Sequence, residues 1–214
     1  MTNAEWRMTK RPLIAAIGDS TTAGTPGFLS PREAPPDGRG DITSQYAYWL
    51  MKSHPDWTVI NLGINGQRSD EIRARFDDEV IATKPAVAVI IAGVNDVYQG
   101  RHADHVKHEL SAMYEAAHSA GIAVVAGTIV PFDTATAEQN ARMREINAWI
   151  EDEAHGTAWM AFADTRAAVA SPSDPDRLRS SPDQLHPDAD GYRRMAEALS
   201  PAIERLLSPR SAQL

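Results

Sequence analysis

Residues 13–20 read Leu13-Ile14-Ala15-Ala16-Ile17-Gly18-Asp19-Ser20, five consecutive apolar side chains followed by a glycine, an acid and a serine. A run that is apolar at every position, rather than at alternate ones, suits a strand covered on both faces. The switch to Gly-Asp-Ser predicts that the chain turns there and leaves a hydroxyl just past the strand's carboxyl end. Four further runs share this character: Trp57–Leu62, Ala86–Ala92, Ile122–Thr128 and Ala158–Phe162. Between them, Ser44–Ser53, Ser69–Thr83, Ala103–Ala120 and Thr134–Ala154 carry helical spacing, as does Asp188–Leu207 at the end. Gly121 just past one of these stretches and Lys84-Pro85 at the end of another are ordinary helix stops.

Strand alternating with helix predicts an α/β protein, a three-layer α/β/α sandwich around a five-stranded parallel sheet with right-handed crossovers. No linker-like break divides the chain, so one domain over residues 1–214, with its core at about 11–208, is expected. A chain of 214 residues can bury about 70% of its unfolded surface, enough for one sizeable core. Two proline-rich loops interrupt the pattern. Residues 25–41 hold four prolines and three glycines directly after Ser20, and residues 171–182 hold three prolines. Connections of this length either line a site or run over the surface away from it.

Composition narrows the function classes. A hydrophobic share of 43% with 23% charged residues excludes disordered and collagen-like chains. A net charge of −8 without a local basic cluster argues against a nucleic-acid partner. The absence of cysteine excludes disulfides and thiolate catalysis. Met1–Arg11 is polar and Leu13–Ile17 is too short for the apolar core of a signal peptide. No stretch approaches the roughly 20 apolar residues of a membrane span. A cytoplasmic protein without stable membrane insertion is expected, although a processed exported form would read the same way.

Three motifs fall after the first three strands: Ser20, Gly63–Gly66 and Asn95. In an open parallel sheet, sites form outside the carboxyl ends of the strands, so connectivity alone gathers these motifs at one edge. Near the C-terminus, Asp183-Gln184-Leu185-His186 precedes the last helix. A serine hydroxyl is a poor nucleophile until a base takes its proton, and a neutral imidazole oriented by a carboxylate does this near pH 7. Taken singly, each motif also reads as turn or cap chemistry, because Asp, Ser and Asn all cap helices and close turns.

In order along the chain stand Gly18-Asp19-Ser20-Thr21, Asn61-Leu62-Gly63-Ile64-Asn65-Gly66, Gly93-Val94-Asn95-Asp96 and Asp183-Gln184-Leu185-His186. These four blocks resemble the signature of the SGNH, or GDSL-type, esterase and lipase superfamily, with Thr21 where leucine is usual. The resemblance spans Gly18 to His186 and implies that superfamily's flavodoxin-like α/β/α fold. It further implies Ser20 as nucleophile, His186 as general base and Asp183 as the carboxylate that orients it. The oxyanion hole would comprise the N–H groups of Ser20 and Gly66 and the side-chain amide of Asn95, with Gly63 as a turn residue. No cofactor and no metal are implied.

Tyr98 and Phe132, after the third and fourth strands, are candidates to line an acyl or alcohol pocket, with core packing the default for Phe132. Tyr46, Tyr48 and Trp49 are read as core and rim packing, and Asp19 and Asp96 as turn supports. His102, His105 and His108 lie at i, i+3 and i+6 of a helix, a spacing unlike that of a zincin motif, and read as a solvated face. The expected activity is hydrolysis of short- or medium-chain carboxylic esters. Lysophospholipase, thioesterase and carbohydrate O-acetylesterase activities of the same fold are the alternatives, and a non-catalytic binding module or a metal-dependent hydrolase built on the Asp–His pair is the competing class. The partner is thus a small-molecule, glycan or lipid ester.

Overall fold

The computed structural model describes residues 11–208; the polar first ten residues and residues 209–214 lie outside that range. Five parallel strands form the sheet: β1 (Leu13–Gly18), β2 (Thr58–Gly63), β3 (Val87–Ile91), β4 (Ala123–Gly127) and β5 (Met160–Ala163), in the order β2-β1-β3-β4-β5. Each lies within one or two residues of the apolar run that predicts it. The register pairs Gly18 with Gly63 and with Ile91, so these three strands end level with one another.

Alternate residues of each strand feed opposite cores, which is why the strands are apolar throughout. Ala15 and Ile17 of β1, with Ala88 and Ile90 of β3, face one side. There they meet α2 (Ser69–Ala74), α3 (Ala103–Ser119) and α4 (Ala137–His155) through Ile72, Val106, Leu110, Met113, Met143, Ile146 and Ile150. Ile14, Ala16, Val87 and Val89 face the other side, against α1 (Tyr46–Ser53) and α5 (Ala189–Leu207). On α5 the buried set Tyr192, Met195, Ala196, Leu199 and Ile203 repeats every three or four residues, the stripe a helix needs to dock on a sheet. Full burial of each of its larger side chains is worth about 1.5–3 kcal/mol.

Three differences from the sequence reading have physical causes. The helical stretch expected over 69–83 is broken: Arg75 leaves helical geometry (φ −107°, ψ 3°) between α2 and a short turn at Phe76–Glu79. The proline-rich segments are also more ordered than their composition suggests. Phe28–Leu29 pairs antiparallel with Arg39–Gly40, and Ala170–Ser171 with Asp174–Leu178, so each segment is a small hairpin rather than an open loop. Finally, Gly63 ends β2 and does not occupy a turn. A Cβ there would stand 2.1 Å from the backbone nitrogen of Ala23, so glycine permits the turn after β1 to lie against β2.

Because α1 follows β1 on one face and α3 follows β3 on the other, the loops leaving these adjacent strands diverge and open a crevice at their carboxyl ends. This is the switch point at which doubly wound sheets bind ligands. Gly63→Ala is expected to lower the unfolding free energy by about 1–3 kcal/mol, the usual cost of forcing a methyl into a filled space. Urea unfolding followed by circular dichroism checks this, and an unchanged midpoint would contradict the contact.

Candidate active site

Ser20 stands at the start of a one-turn helix, Ser20–Ala23, directly after β1. Asp19 caps that turn by accepting the Thr21 N–H at 2.9 Å, and the backbone then reverses through Gly24. Asn61, fully inside the protein, fastens the turn from the side: its amide donates to Ala23 O (3.1 Å) and to Gln45 Oε1 (2.7 Å). The serine is thereby held level with the end of the sheet and is only 3% exposed.

The Asp183–His186 segment folds around its own carboxylate. Asp183 Oδ1 accepts the N–H groups of Leu185 (3.0 Å) and His186 (2.8 Å), while Oδ2 lies 2.7 Å from His186 Nδ1. Gln184 takes a left-handed conformation (φ 66°), a state a non-glycine residue adopts only when held. The Asp133 N–H holds it, donating to Gln184 O at 2.8 Å. Ser181 Oγ donates to the carbonyl of His186 at 2.7 Å. Aimed in this way, His186 Nε2 comes to 2.8 Å from Ser20 Oγ, across 166 residues of chain. A carboxylate can only accept, so Nδ1 carries the imidazole proton and Nε2 is left to accept the serine hydroxyl. Burial pushes the Asp183 carboxyl up, but the bonds from the His186 ring and from the two backbone N–H groups outweigh it and hold the group below its ordinary value.

Asn95 opens the helical turn Val94–Tyr98 after β3. Its Nδ2 donates to Gln67 O at 2.9 Å. Since that partner is a carbonyl, the facing atom is the amide nitrogen, and the second N–H remains for another acceptor. Gln67 closes a turn with Ile64 (3.5 Å), in which Gly66 has φ 78° while Asn65 does not enter the positive range. That combination is a type II turn, which requires glycine or asparagine at its third position. A Cβ at Gly66 would meet nothing within 4 Å, so dihedral freedom, not crowding, accounts for the glycine.

A cavity of about 180 Å³ opens over the serine, lined by Ser20, Thr21, Asn65, Val94, Asn95, Tyr98, Phe132, Leu185 and His186. Tyr98, at 57% exposure, and Leu185 form its outer rim. Phe132 is buried and meets Tyr98 edge-on at 5.8 Å, so it packs the core and lines the cavity at once. The sequence reading gave no part to Thr21, Asn65, Val94 or Leu185, although all four lie inside the quoted blocks. Among the described residues, the lining takes no side chain from 25–41 or 171–182. Those segments buttress the site from behind: Ser30 Oγ donates to Gly63 O (2.6 Å), Glu33 accepts the Asn65 N–H (3.0 Å), and Leu178 N donates to Asp133 (2.8 Å).

Other side chains named from the sequence have structural roles. Tyr46 is buried and donates to Thr22 Oγ1 (3.0 Å), while Tyr48 and Trp49 lie edge to face at 5.2 Å on the same helix. Asp96, read from sequence as a turn support, serves a distant element instead. It accepts both the N–H (2.8 Å) and the hydroxyl (2.9 Å) of Ser69, fixing the start of α2. His102 and His108 are exposed, whereas His105 turns inward to within 3.9 Å of Asp96. Asp70, Asp96 and His105 thus place ligand-type atoms within 4.8 Å of one another. Ser69 saturates Asp96 from one side, and Arg68 (3.1 Å) and Arg101 (3.5 Å) neutralise Asp70.

The model of the GDSL-like lipase/acylhydrolase family matches residues 16–194. The chain belongs to that family. Over 92 residues, 39% of each chain, it is 34% identical to an acetylxylan esterase of Geobacillus stearothermophilus, so the match spans well under half of that relative. Solved structures share the fold. A GDSL-like lipase from Bacteroides thetaiotaomicron superposes with a TM-score of 0.73 at 23% identity, covering 92% of this chain and 90% of that one. An acetyl-xylooligosaccharide esterase from the same Geobacillus species superposes with a TM-score of 0.69 at 21% identity, covering 93% and 95%. No helix among the described residues is long and apolar enough to cross a membrane.

One group beside Ser20 titrates far from its usual range. Burial raises the Asp19 carboxyl from 3.8 to about 6, opposed by the Thr21 N–H and the nearby His186 and reinforced by Asp96. A carboxyl whose folded pKa lies above its unfolded value favours the folded state below about pH 4, and that advantage is lost as pH rises through about 6. Asp19→Asn keeps an oxygen to accept Thr21 N–H and removes the titration. The difference in unfolding free energy, variant minus wild type, is therefore expected to grow by about 2 kcal/mol between pH 4 and pH 7. Denaturant titrations across that range check it, and a difference independent of pH would contradict the raised carboxyl.

Proposed function

We propose that this acylhydrolase works through an acyl-enzyme on Ser20 and acts on esters of short acyl chains. The supporting observation is the unbroken relay from Asp183 through His186 to Ser20, with links of 2.7 and 2.8 Å, at the floor of a small cavity. In the first half-reaction Ser20 Oγ attacks the ester carbonyl carbon while its proton passes to His186 Nε2. Asp183 stabilises the imidazolium that forms. The carbonyl oxygen becomes an oxyanion, to which the N–H groups of Ser20 and Gly66 and the free N–H of Asn95 donate. His186 then returns its proton to the departing alkoxide, and the alcohol leaves. In the second half-reaction His186 takes a proton from water, the hydroxide attacks the acyl carbon, and the acid departs as Ser20 regains its hydrogen.

Several features fit these roles. Ser20 begins a helical turn, so its N–H has no carbonyl one turn earlier to bond. Both ring nitrogens of His186 are engaged, by Asp183 and by Ser20, which suits a proton relay better than metal ligation. Crystal structures of the Geobacillus acetylxylan esterase include catalytic mutants in which a serine or an aspartate is replaced by alanine.

The cavity size favours acetyl and other short acyl groups over the long chains of lysophospholipids and acyl thioesters. A carbohydrate acetyl ester is the second reading, favoured by the exposed ring of Tyr98 at the rim and by the acetylxylan esterase relative.

Ser20→Ala is expected to abolish hydrolysis of p-nitrophenyl acetate and labelling by a fluorophosphonate while the thermal unfolding curve stays in place; retained hydrolysis would refute the nucleophile, whereas a wild type that neither hydrolyses nor labels would favour the binding module. Asn95→Ala is expected to lower kcat by roughly 10²–10³, the loss typical of one oxyanion donor. Rates on p-nitrophenyl esters of increasing length should fall steeply beyond butyrate, and a maximum at eight or more carbons (roughly a chain the cavity cannot enclose) would overturn the short-chain reading.

A further inference from the structure

Arg75 lies where α2 breaks, and its three nitrogens reach three different segments. Nη2 donates to Gly18 O at 3.0 Å, Nε to Gln67 Oε1 at 2.7 Å, and Nη1 to Glu79 Oε2 at 2.6 Å. The side chain is 12% exposed, as is that of Glu79, which Arg32 also contacts at 2.6 Å. Gly18 is two residues before the proposed nucleophile. Gln67 follows Gly66 in the type II turn, and its carbonyl holds the Asn95 amide at 2.9 Å. One planar fork therefore touches the supports of all three oxyanion donors and none of the donors themselves.

We propose that Arg75 is the positioning residue of the oxyanion hole, fixing Ser20, Gly66 and Asn95 at one spacing through Gly18 and Gln67. The inference rests on the oxyanion roles proposed above. A guanidinium suits the task because its donors are rigidly coplanar, whereas an ammonium on a flexible stem cannot hold three acceptors at set angles. Gln67 is the link to Asn95: it receives Arg75 on its side chain and offers its backbone oxygen to the amide.

Steady-state kinetics on p-nitrophenyl acetate test this with Arg75→Lys, Gln67→Leu and Gln67→Glu, alone and combined with Asn95→Ala. Arg75→Lys and Gln67→Leu are expected to lower kcat by about 10–100-fold with KM changed by less than about twofold, the signature of donors displaced by a fraction of an ångström. Gln67→Glu, which keeps the acceptor, should recover most of that loss. In the Asn95→Ala background the same substitutions should cost less than about threefold more, because residues acting as one unit are not additive. Unchanged kcat in folded Gln67→Leu and Arg75→Lys, or losses that multiply fully with Asn95→Ala, would overturn the positioning role alone. An Asn95→Ala enzyme with full kcat would instead remove the oxyanion reading beneath it.

Discussion

A hydrogen bond of 2.8 Å between Ser20 Oγ and His186 Nε2 joins two segments 166 residues apart, and the architecture exists around that meeting. The serine is delivered by β1, which is covered on both faces and flanked by β2 and β3. The histidine is delivered by a loop between the hairpin of residues 170–178 and α5, whose apolar stripe packs against the sheet and α1. Neither strand nor helix touches the reaction directly. Their hydrophobic burial, a non-directional force, sets positions coarsely, and short polar contacts at the sheet edge refine them.

Those polar contacts form a consistent pattern. Asn61 pins the turn after Ser20, Asp96 pins the start of α2, Ser30 pins the end of β2, and Asp133 pins both Gln184 and Leu178. Each is a polar group that satisfies backbone groups of a different loop, where the sheet ladder has ended and can no longer do so. The site is therefore surrounded by bonds whose loss leaves buried donors or acceptors unpaired, the costly direction of change in a protein interior. Neutral partners dominate near the serine, which leaves Asp183 as the carboxylate bonded to the imidazole of the proposed relay.

Much of the fold was legible in the sequence because unbroken apolar runs and three-to-four spacing follow directly from two-sided burial. The four motif blocks were legible because each carries its chemistry within a few adjacent residues, as in Asp183–His186, where a single carboxylate organises three donors. What escaped was polar and distant. Arg75 to Gly18 spans 57 residues, Asn61 to Ala23 spans 38, and Asp96 to Ser69 spans 27. An arginine or an aspartate at a helix end reads as a solvated residue until the fold supplies its partner. The two hairpins escaped for another reason: strands of two to five residues are too short for any period to declare itself.

The order of the two relay partners along the chain has a consequence for biosynthesis. Ribosomes release Ser20 166 residues before His186, and domains fold from the N-terminal side as they emerge. A polypeptide interrupted anywhere before residue 186 carries only an ordinary alcohol on Ser20, no more reactive than any free serine. On the proposed serine mechanism, hydrolytic competence thus arrives in a single step, when that loop joins the sheet edge, and unfinished copies stay harmless to the esters around them.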